Sequence, residues 1–574
     1  MSRLPLRLAV LPLFAAAAIA QLPTPSPNPP TLRAAPRATW VAVTTAGTTT
    51  NGTLSAGTYA PLANTTFRAD NPGAASNDAI YVFGGSLANN TATTANDLWK
   101  FDAVAGTFTQ LIADGVAGSP AHRARASIAW NPATNRLVVF GGNTRGGPTG
   151  VGVPTLLNDT WEYDPGTNAW TNVTPGAGNP SPRQHASMCF DPITGGMLLF
   201  GGQVNDASPH VINNETWLFL GGVWTQLAPA TSPPARCQAS LMTRTDYNDC
   251  VMCVGLDQTT YNNPPTNTVV EQIRFLDVWR WNGSDWNLLS NYDVLTNTGT
   301  QGFPASAIGA QAAYDPLRHR IVVQGGNGHT VGTNVTYLYG TLYGGSPTNW
   351  TSEFDSLTNS WTLYSRLTTT PTAFGNNDSV IGRISRAFTG FVPATKTLYK
   401  VCGQNAAATG SRPTYNVYSY QANPIAVADP YGTGCSGPGG TLAMAADDLP
   451  WNGRTFSVTG TGFGAAPNSV AVLMLSAVGS FPPGAVTLAS LAPIVPGGGP
   501  GCDLLIQTLD YSEGLLPSAG TATWMLPLPD ATVDPTLPGV TFYVQFAELV
   551  FAPFPSNWVG TYASNGITCT VGAL

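Results

Sequence analysis

The apolar positions of this chain fall in short runs of four to six residues, and many of these runs stop on glycine. Tyr81, Val82 and Phe83 lead into Gly84 and Gly85. Val138, Val139 and Phe140 lead into Gly141 and Gly142, and Leu198, Leu199 and Phe200 into Gly201 and Gly202. Val322, Val323 and Gln324 precede Gly325 and Gly326, and weaker copies end at Gly255 and Gly403. Runs of this length bounded by glycine and proline predict strands and tight turns. No three-turn amphipathic helix is legible in the body of the chain.

A second signature follows each glycine pair after a stretch of variable length. It pairs an acid with a tryptophan two residues on: Asp97 with Trp99, Asp159 with Trp161, Glu215 with Trp217 and, more loosely, Asp277 with Trp279. Asn416 to Tyr418 is a remnant. A further aromatic then follows at Phe108, Trp170, Trp224, Trp286 and Trp361. With the run before the Asn131-Pro132 or Asp191-Pro192 turn, each unit holds four strands. The glycine positions lie 57, 60, 54, 70 and 78 residues apart. Periods near 50 residues with four strands each predict a propeller, because one four-stranded sheet cannot bury both faces alone. The glycines supply positive φ where chains approach closely. The tryptophans supply surface for packing between blades. The acids are placed to satisfy loop amides before the third strand.

The glycine pair, the spaced Trp or Tyr and the period resemble kelch repeats, and the resemblance covers about two thirds of the chain. It implies an all-β fold, a kelch β-propeller over 38–425 in the galactose-oxidase-like central-domain superfamily, with six blades. The long last two intervals are read as insertions, since no further glycine-pair strand stands between 330 and 400. The sixth unit lacks a fourth-strand tryptophan after Tyr420, whereas Trp40 and Val43 match Trp170 and Val173. A strand at the start of the propeller is therefore expected to complete the last blade and remove two free edges.

Past residue 425 the pattern changes. A Gly-rich stretch over 426–440 reads as a hinge. Strand-like runs follow at 455–459, 470–475, 502–507, 521–526, 540–546 and 566–571, predicting a small β-sandwich over 441–574. Gly432 to Cys435, Gly501 to Leu505 and Ser564 to Ile567 resemble a module of exported bacterial proteins, which implies no activity. Of the eight cysteines, Cys435 and Cys502 are the expected disulfide. Cys250 and Cys253 have redox-motif spacing, but three residues apart in a strand point to opposite faces, so both read as buried apolar groups.

Composition narrows the function. Charged residues are 10 % and the net charge is −7, with no basic stripe, which argues against a nucleic-acid partner. Arg3 and Arg7, an apolar run over 8–19 and Ala18 and Ala20 predict a signal peptide over 1–20. The Pro-rich 21–37 reads as a leader without structure of its own, and no later apolar run is long enough for a membrane span. The expected location is secreted or cell surface.

Candidate chemistry is sparse. No Ser-His-Asp order, His-Glu-x-x-His, phosphate loop or dinucleotide fingerprint is present. The turn from Asp164 to Trp170 approaches the sialidase Asp-box but is one residue too long. His122 and His185, beside Arg123 and Arg183, read as repeat framework, and His319 as a solvated turn residue. Copper-radical oxidases resembling galactose oxidase need two His and two Tyr around the metal, and no such set assembles around His329. No cofactor and no metal is expected.

Function is placed instead in the variable second-to-third-strand loops at 86–95, 143–157, 203–212, 257–275, 327–350 and 404–413. The ligand-binding candidates there are Arg145, His210, Tyr261, Arg274, His329, Trp350 and Arg412, with Asp206 and Glu271 nearby. Aromatics mixed with amides suit an extracellular protein or a glycan. The expected function is a binding or interaction protein, and the alternative is a secreted carbohydrate-active enzyme such as a copper-radical oxidase.

Overall fold

The computed structural model describes residues 31–33, 38–43, 46–49, 52–54, 73–86, 94–145, 149, 151–206, 210–258, 272–274, 277–290, 311–325, 351–364, 384–385, 387–402, 404–407, 410–413, 417–422, 426–466, 468–477, 502–505, 507, 509–529, 537–552 and 558–572. The signal-peptide segment, Tyr261, Glu271, His329 and Trp350 lie outside them. The described chain is all-β, with a short 3-10 turn at Pro393–Thr395. No described helix is long and apolar enough to cross a membrane.

The repeats form a β-propeller of four-stranded antiparallel blades. In the second blade Ser127–Asn131, Arg136–Asn143, Leu156–Asp164 and Ala169–Asn172 pair in sequence order. Five further four-stranded units of the same kind are present among the described residues. They start at Gly73–Ala75, Ser187–Asp191, Ser240–Arg244, Gln311–Asp315 and Phe388–Val392. The inner first strands adjoin one another in chain order, and Phe388–Val392 returns to lie beside Gly73–Ala75. Ala38–Ala42 pairs antiparallel with Val417–Ala422, Thr39 opposite Gln421, and forms the outer strand of the last blade. The long fifth interval resolves in the same terms, since Thr351–Asp355 and Ser360–Tyr364 are the third and fourth strands of blade five. One part of the leader differs from expectation. Thr31–Arg33 runs parallel to the outer edge of blade five and adds a strand to it.

The aromatic signature is the packing device between blades. The fourth-strand tryptophan of each of blades two to four meets the residue before the glycine pair of the preceding blade. Phe83 and Trp170 lie 4.9 Å apart, Phe140 and Trp224 4.9 Å, and Phe200 and Trp286 5.3 Å between ring centroids. The Trp224 and Trp286 indoles also donate across the blade boundary to the hydroxyls of Thr160 (2.9 Å) and Thr216 (3.0 Å). A buried Trp needs a partner for its N–H, and the threonine immediately after the acid, Thr160 after Asp159 and Thr216 after Glu215, provides it. The glycine pair serves the same closeness. Gly141 sits at φ +64°, and a Cβ there would stand 2.8 Å from the Arg183 carbonyl oxygen.

Cys250 and Cys253 behave as their spacing predicts. Cys250 packs with Cys189 and Phe200 of blade three, and Cys253 with Ile321 and Phe354 of blade five. Both are free thiols whose pKa burial pushes up.

The C-terminal residues build two sheets around one core. Val427–Tyr431, Trp558–Thr570, Thr541–Phe551, Ser469–Ser476 and Tyr511–Leu515 form one sheet. Ala443–Ala446, Thr455–Thr461 and Thr521–Pro527 form the other. Phe456 and Val458 from the smaller sheet pack with Leu473, Val544 and Phe546 from the larger. Among the described residues of 502–507 no strand forms, and Tyr511–Leu515 takes that edge. Cys502 is instead bonded to Cys435. The stretch expected to be a hinge is packed into this unit. Val427–Tyr431 pairs with Trp558–Thr570, Cys435 carries the disulfide, and a Cβ at Gly434 or Gly439 would collide with the backbone of Leu442 or Phe463. These glycines serve close approach rather than freedom.

Candidate ligand-binding face

In an antiparallel blade the second-to-third-strand loops and the links between blades share one end, and the remaining turns share the other. The links carry a repeating arginine at Arg123, Arg183 and Arg236, each almost wholly buried. Arg123 holds Asp159 with two bonds of 2.6 and 2.7 Å and donates to the Gly141 carbonyl at 3.0 Å. Arg183 holds Glu215 at 2.6 Å and the Gly201 carbonyl at 3.0 Å. Arg236 holds Asp277 at 2.7 Å twice and reaches the Val254 carbonyl at 3.2 Å. Each acid also accepts the indole N–H two residues on, from Trp161, Trp217 or Trp279. The side-chain partners of Asp159, Glu215 and Asp277 are thus guanidinium and indole, where their turn position predicts loop amides. Burial would raise the Asp159 and Glu215 pKa, but their arginines outweigh it and hold both below the carboxylate norm. The backbone of each arginine binds the preceding blade, as in Arg123 N–H to the Ala95 carbonyl, so each links two blades.

Two residues after each arginine the chain turns left-handed without glycine: Arg125 at φ 61°, His185 at 57° and Gln238 at 54°. The His185 amide donates to the Arg125 carbonyl (2.9 Å) and the Gln238 amide to the His185 carbonyl (3.0 Å), lacing the inner rim of blades two to four. Backbone held in this region by surrounding bonds marks a place to look for function. Beside it lies a polar floor. Gln184 Oε1 accepts from Asn143 Nδ2 and Arg125 Nη1, both at 3.2 Å, and Gln184 Nε2 donates to Asp206 at 2.9 Å. Gln203 Nε2 stands 2.8 Å from His210 Nδ1 and donates to the Asn205 carbonyl at 2.7 Å. Asn143 and Gln184 are fully buried, and Asn143 Oδ1 caps the Arg145 amide at 2.6 Å.

Of the sequence candidates, Arg145 and His210 come together on adjacent blades over this floor, linked through Asn143, Gln184 and Gln203. Arg274 and Arg412 lie in hairpins that extend the loops of blades four and six, Arg274 opposite Leu256 and Arg412 opposite Asn405. Exposed Val151, Val153 and Val211 add apolar surface to the same loops. Sequence reading passed over Arg125, Gln184, Gln203 and Asn143. Their one signal is register, since Arg125, His185 and Gln238 each follow a repeat arginine by two and precede Ala-Ser. The floor's amides are buried and bonded to one another, to Asp206 and to His210, so they serve to hold those side chains and the Arg145 backbone in place, which suits a ligand bound without reorganisation.

Residues 73–291 match the family model of the KLHDC2/KLHL20/DRC7 Kelch-repeats domain. The chain is also similar to the human protein named Multiple epidermal growth factor-like domains protein 8, 25 % identical over 264 residues. That match covers 44 % of this chain and 8 % of the human protein.

Proposed function

We propose that this is a secreted interaction protein whose propeller takes an extracellular protein or glycan partner on the variable-loop face. The observation carrying the reading is the rigid polar floor of Asn143, Gln184 and Gln203 beneath loops that present Arg145, Asp206, His210 and exposed valines. A scaffold constant in its strands and variable in its loops is how recognition is grafted on repeat folds. The kelch match supports protein binding as the first partner class to test.

The test is selection from a displayed peptide library and a glycan array with the purified full chain. Binders are then remeasured against Arg145→Glu, Arg125→Glu and His210→Ala variants that keep the wild-type melting temperature. At least a tenfold loss of affinity in two of the three is expected. Ligands insensitive to all three would overturn the placement of the site. Stoichiometric copper in the purified protein, with oxidase turnover, would replace this reading with the enzymatic one.

A further inference from the structure

The C-terminal unit is seated on the propeller, at the end opposite the variable loops. The contact lies on the first-to-second-strand turns of blades four and five and the last turn of blade five. Trp451, 1 % exposed, packs against Leu317, and its indole N–H donates to the Leu317 carbonyl. The Arg454 guanidinium donates to the Arg318 carbonyl at 2.9 Å and to Asp355 Oδ1 at 3.3 Å. Between them stands His319. Its Nδ1 lies 2.5 Å from Asp246 Oδ2 in blade four, and its Nε2 lies 3.0 Å from Asp448 Oδ2 in the C-terminal unit. The expectation of a solvated turn histidine is corrected here.

A neutral imidazole carries one N–H and one lone pair, so it can donate to only one of two carboxylates. Two carboxylate partners require the imidazolium. We propose that protonated His319 is the keystone of a clamp that fixes the C-terminal unit rigidly against the propeller, and that removing its proton loosens the joint. The charges around it agree. Asp246, Asp448 and Asp355 face Arg454, Arg320 and His319, so three carboxylates meet three cations only when the ring is charged. Tyr247 packs its ring edge-on to His319 under Arg244, and the Tyr314 hydroxyl donates to Asp246 at 2.7 Å. Behind the turn Arg318 is occupied by Asp315 and Glu353.

Burial alone would lower the His319 pKa, but the bonds to Asp246 and Asp448 raise it to about 9. A raised pKa sets the sign. The clamp's contribution is full below the unfolded-state value near 6.5 and is lost as pH rises through about 9. At neutral pH the joint is closed.

Hydrogen exchange of the full chain, corrected for the intrinsic pH dependence, tests this. Amides in 315–321 and 446–455 are expected to be protected in the wild type at pH 7. They are expected to exchange at least tenfold faster in the wild type at pH 10 and in His319→Gln at pH 7, with blades two and three unchanged. Asp448→Asn should move the wild-type opening midpoint to lower pH. Equal protection of His319→Gln at pH 7 and of the wild type at both pH values overturns the proposal. So does acceleration that appears only together with blades two and three, which is global unfolding.

Discussion

At the scale of single residues, the repeat arginines Arg123, Arg183 and Arg236 each tie two neighbouring blades together. Arg236 is fully buried, forks onto a nearly buried Asp277, and caps a backbone carbonyl. Removing one partner of such a pair strands the other charge away from water, which costs about 3–5 kcal/mol. Arg236→Ala is therefore expected to lower unfolding free energy by about that amount in urea titration. Arg236→Met with Asp277→Leu should recover most of the loss, leaving chiefly the Trp279 N–H unserved. A loss under about 1 kcal/mol for the single variant would show the pair to be solvated in solution. Much of this scale was legible: the acid-x-Trp spacing and the arginines are plain in the sequence. Their pairing was not, because Arg123 and Asp159 stand 36 residues apart and only the closed blade brings them together.

At the scale of elements, the Phe–Trp packing repeats across the boundaries of blades one to four, Val254 stands in for the phenylalanine between four and five, and between five and six a polar pair replaces it. Gln324 takes the place of the phenylalanine before the glycine pair. Lys400 faces it across the boundary, wholly buried, its ammonium bonded to the Gln324 carbonyl and side-chain oxygens. Desolvation lowers the Lys400 pKa to about 7. At this site the unfolded chain holds more protons than the folded one between about 7 and the ordinary 10.5, so the Lys400 contribution to stability rises with pH across that window, against the fall from His319. Lys400→Met is expected to stabilise the protein at pH 7 by on the order of a few kcal/mol and to flatten the rise, read from denaturant midpoints at pH 7 and 10. An unchanged slope would mean that the lysine keeps its solution pKa. The strands themselves were readable, including the closing strand at Ala38–Ala42, because period-two runs, glycine pairs and proline turns are local signals. The second-unit strand predicted at 502–507 failed for a physical reason. Cys502 and Leu505 are buried by the disulfide and by core contacts rather than by ladder pairing, and an apolar run cannot tell the two apart. The polar floor of the candidate site was equally silent, since Gln184 and Gln203 have meaning only through the αL rim that juxtaposes them.

At the scale of the whole molecule, two bodies with different sources of stability are joined by one clamp. The propeller is held by a closed ring of blades without a disulfide among the described residues. The C-terminal unit is held by a two-sheet core and by Cys435–Cys502, which closes a sequence separation of 67 residues. A cross-link of that span restricts the unfolded ensemble by about 4 kcal/mol, less any structure the reduced chain retains. The restriction belongs to the C-terminal unit alone. Cys435→Ser with Cys502→Ser is thus expected to split calorimetric unfolding into an early C-terminal transition and a later propeller transition. While His319 is charged, the clamp lends the weaker unit part of the propeller's stability, so the split should be wider at pH 10 than at pH 7. It should also be wide at both pH values in the same variant carrying His319→Gln. A single transition under all these conditions would mean that the two bodies unfold as one whatever joins them. In that case the interface around Trp451, rather than the histidine, would set their cooperativity.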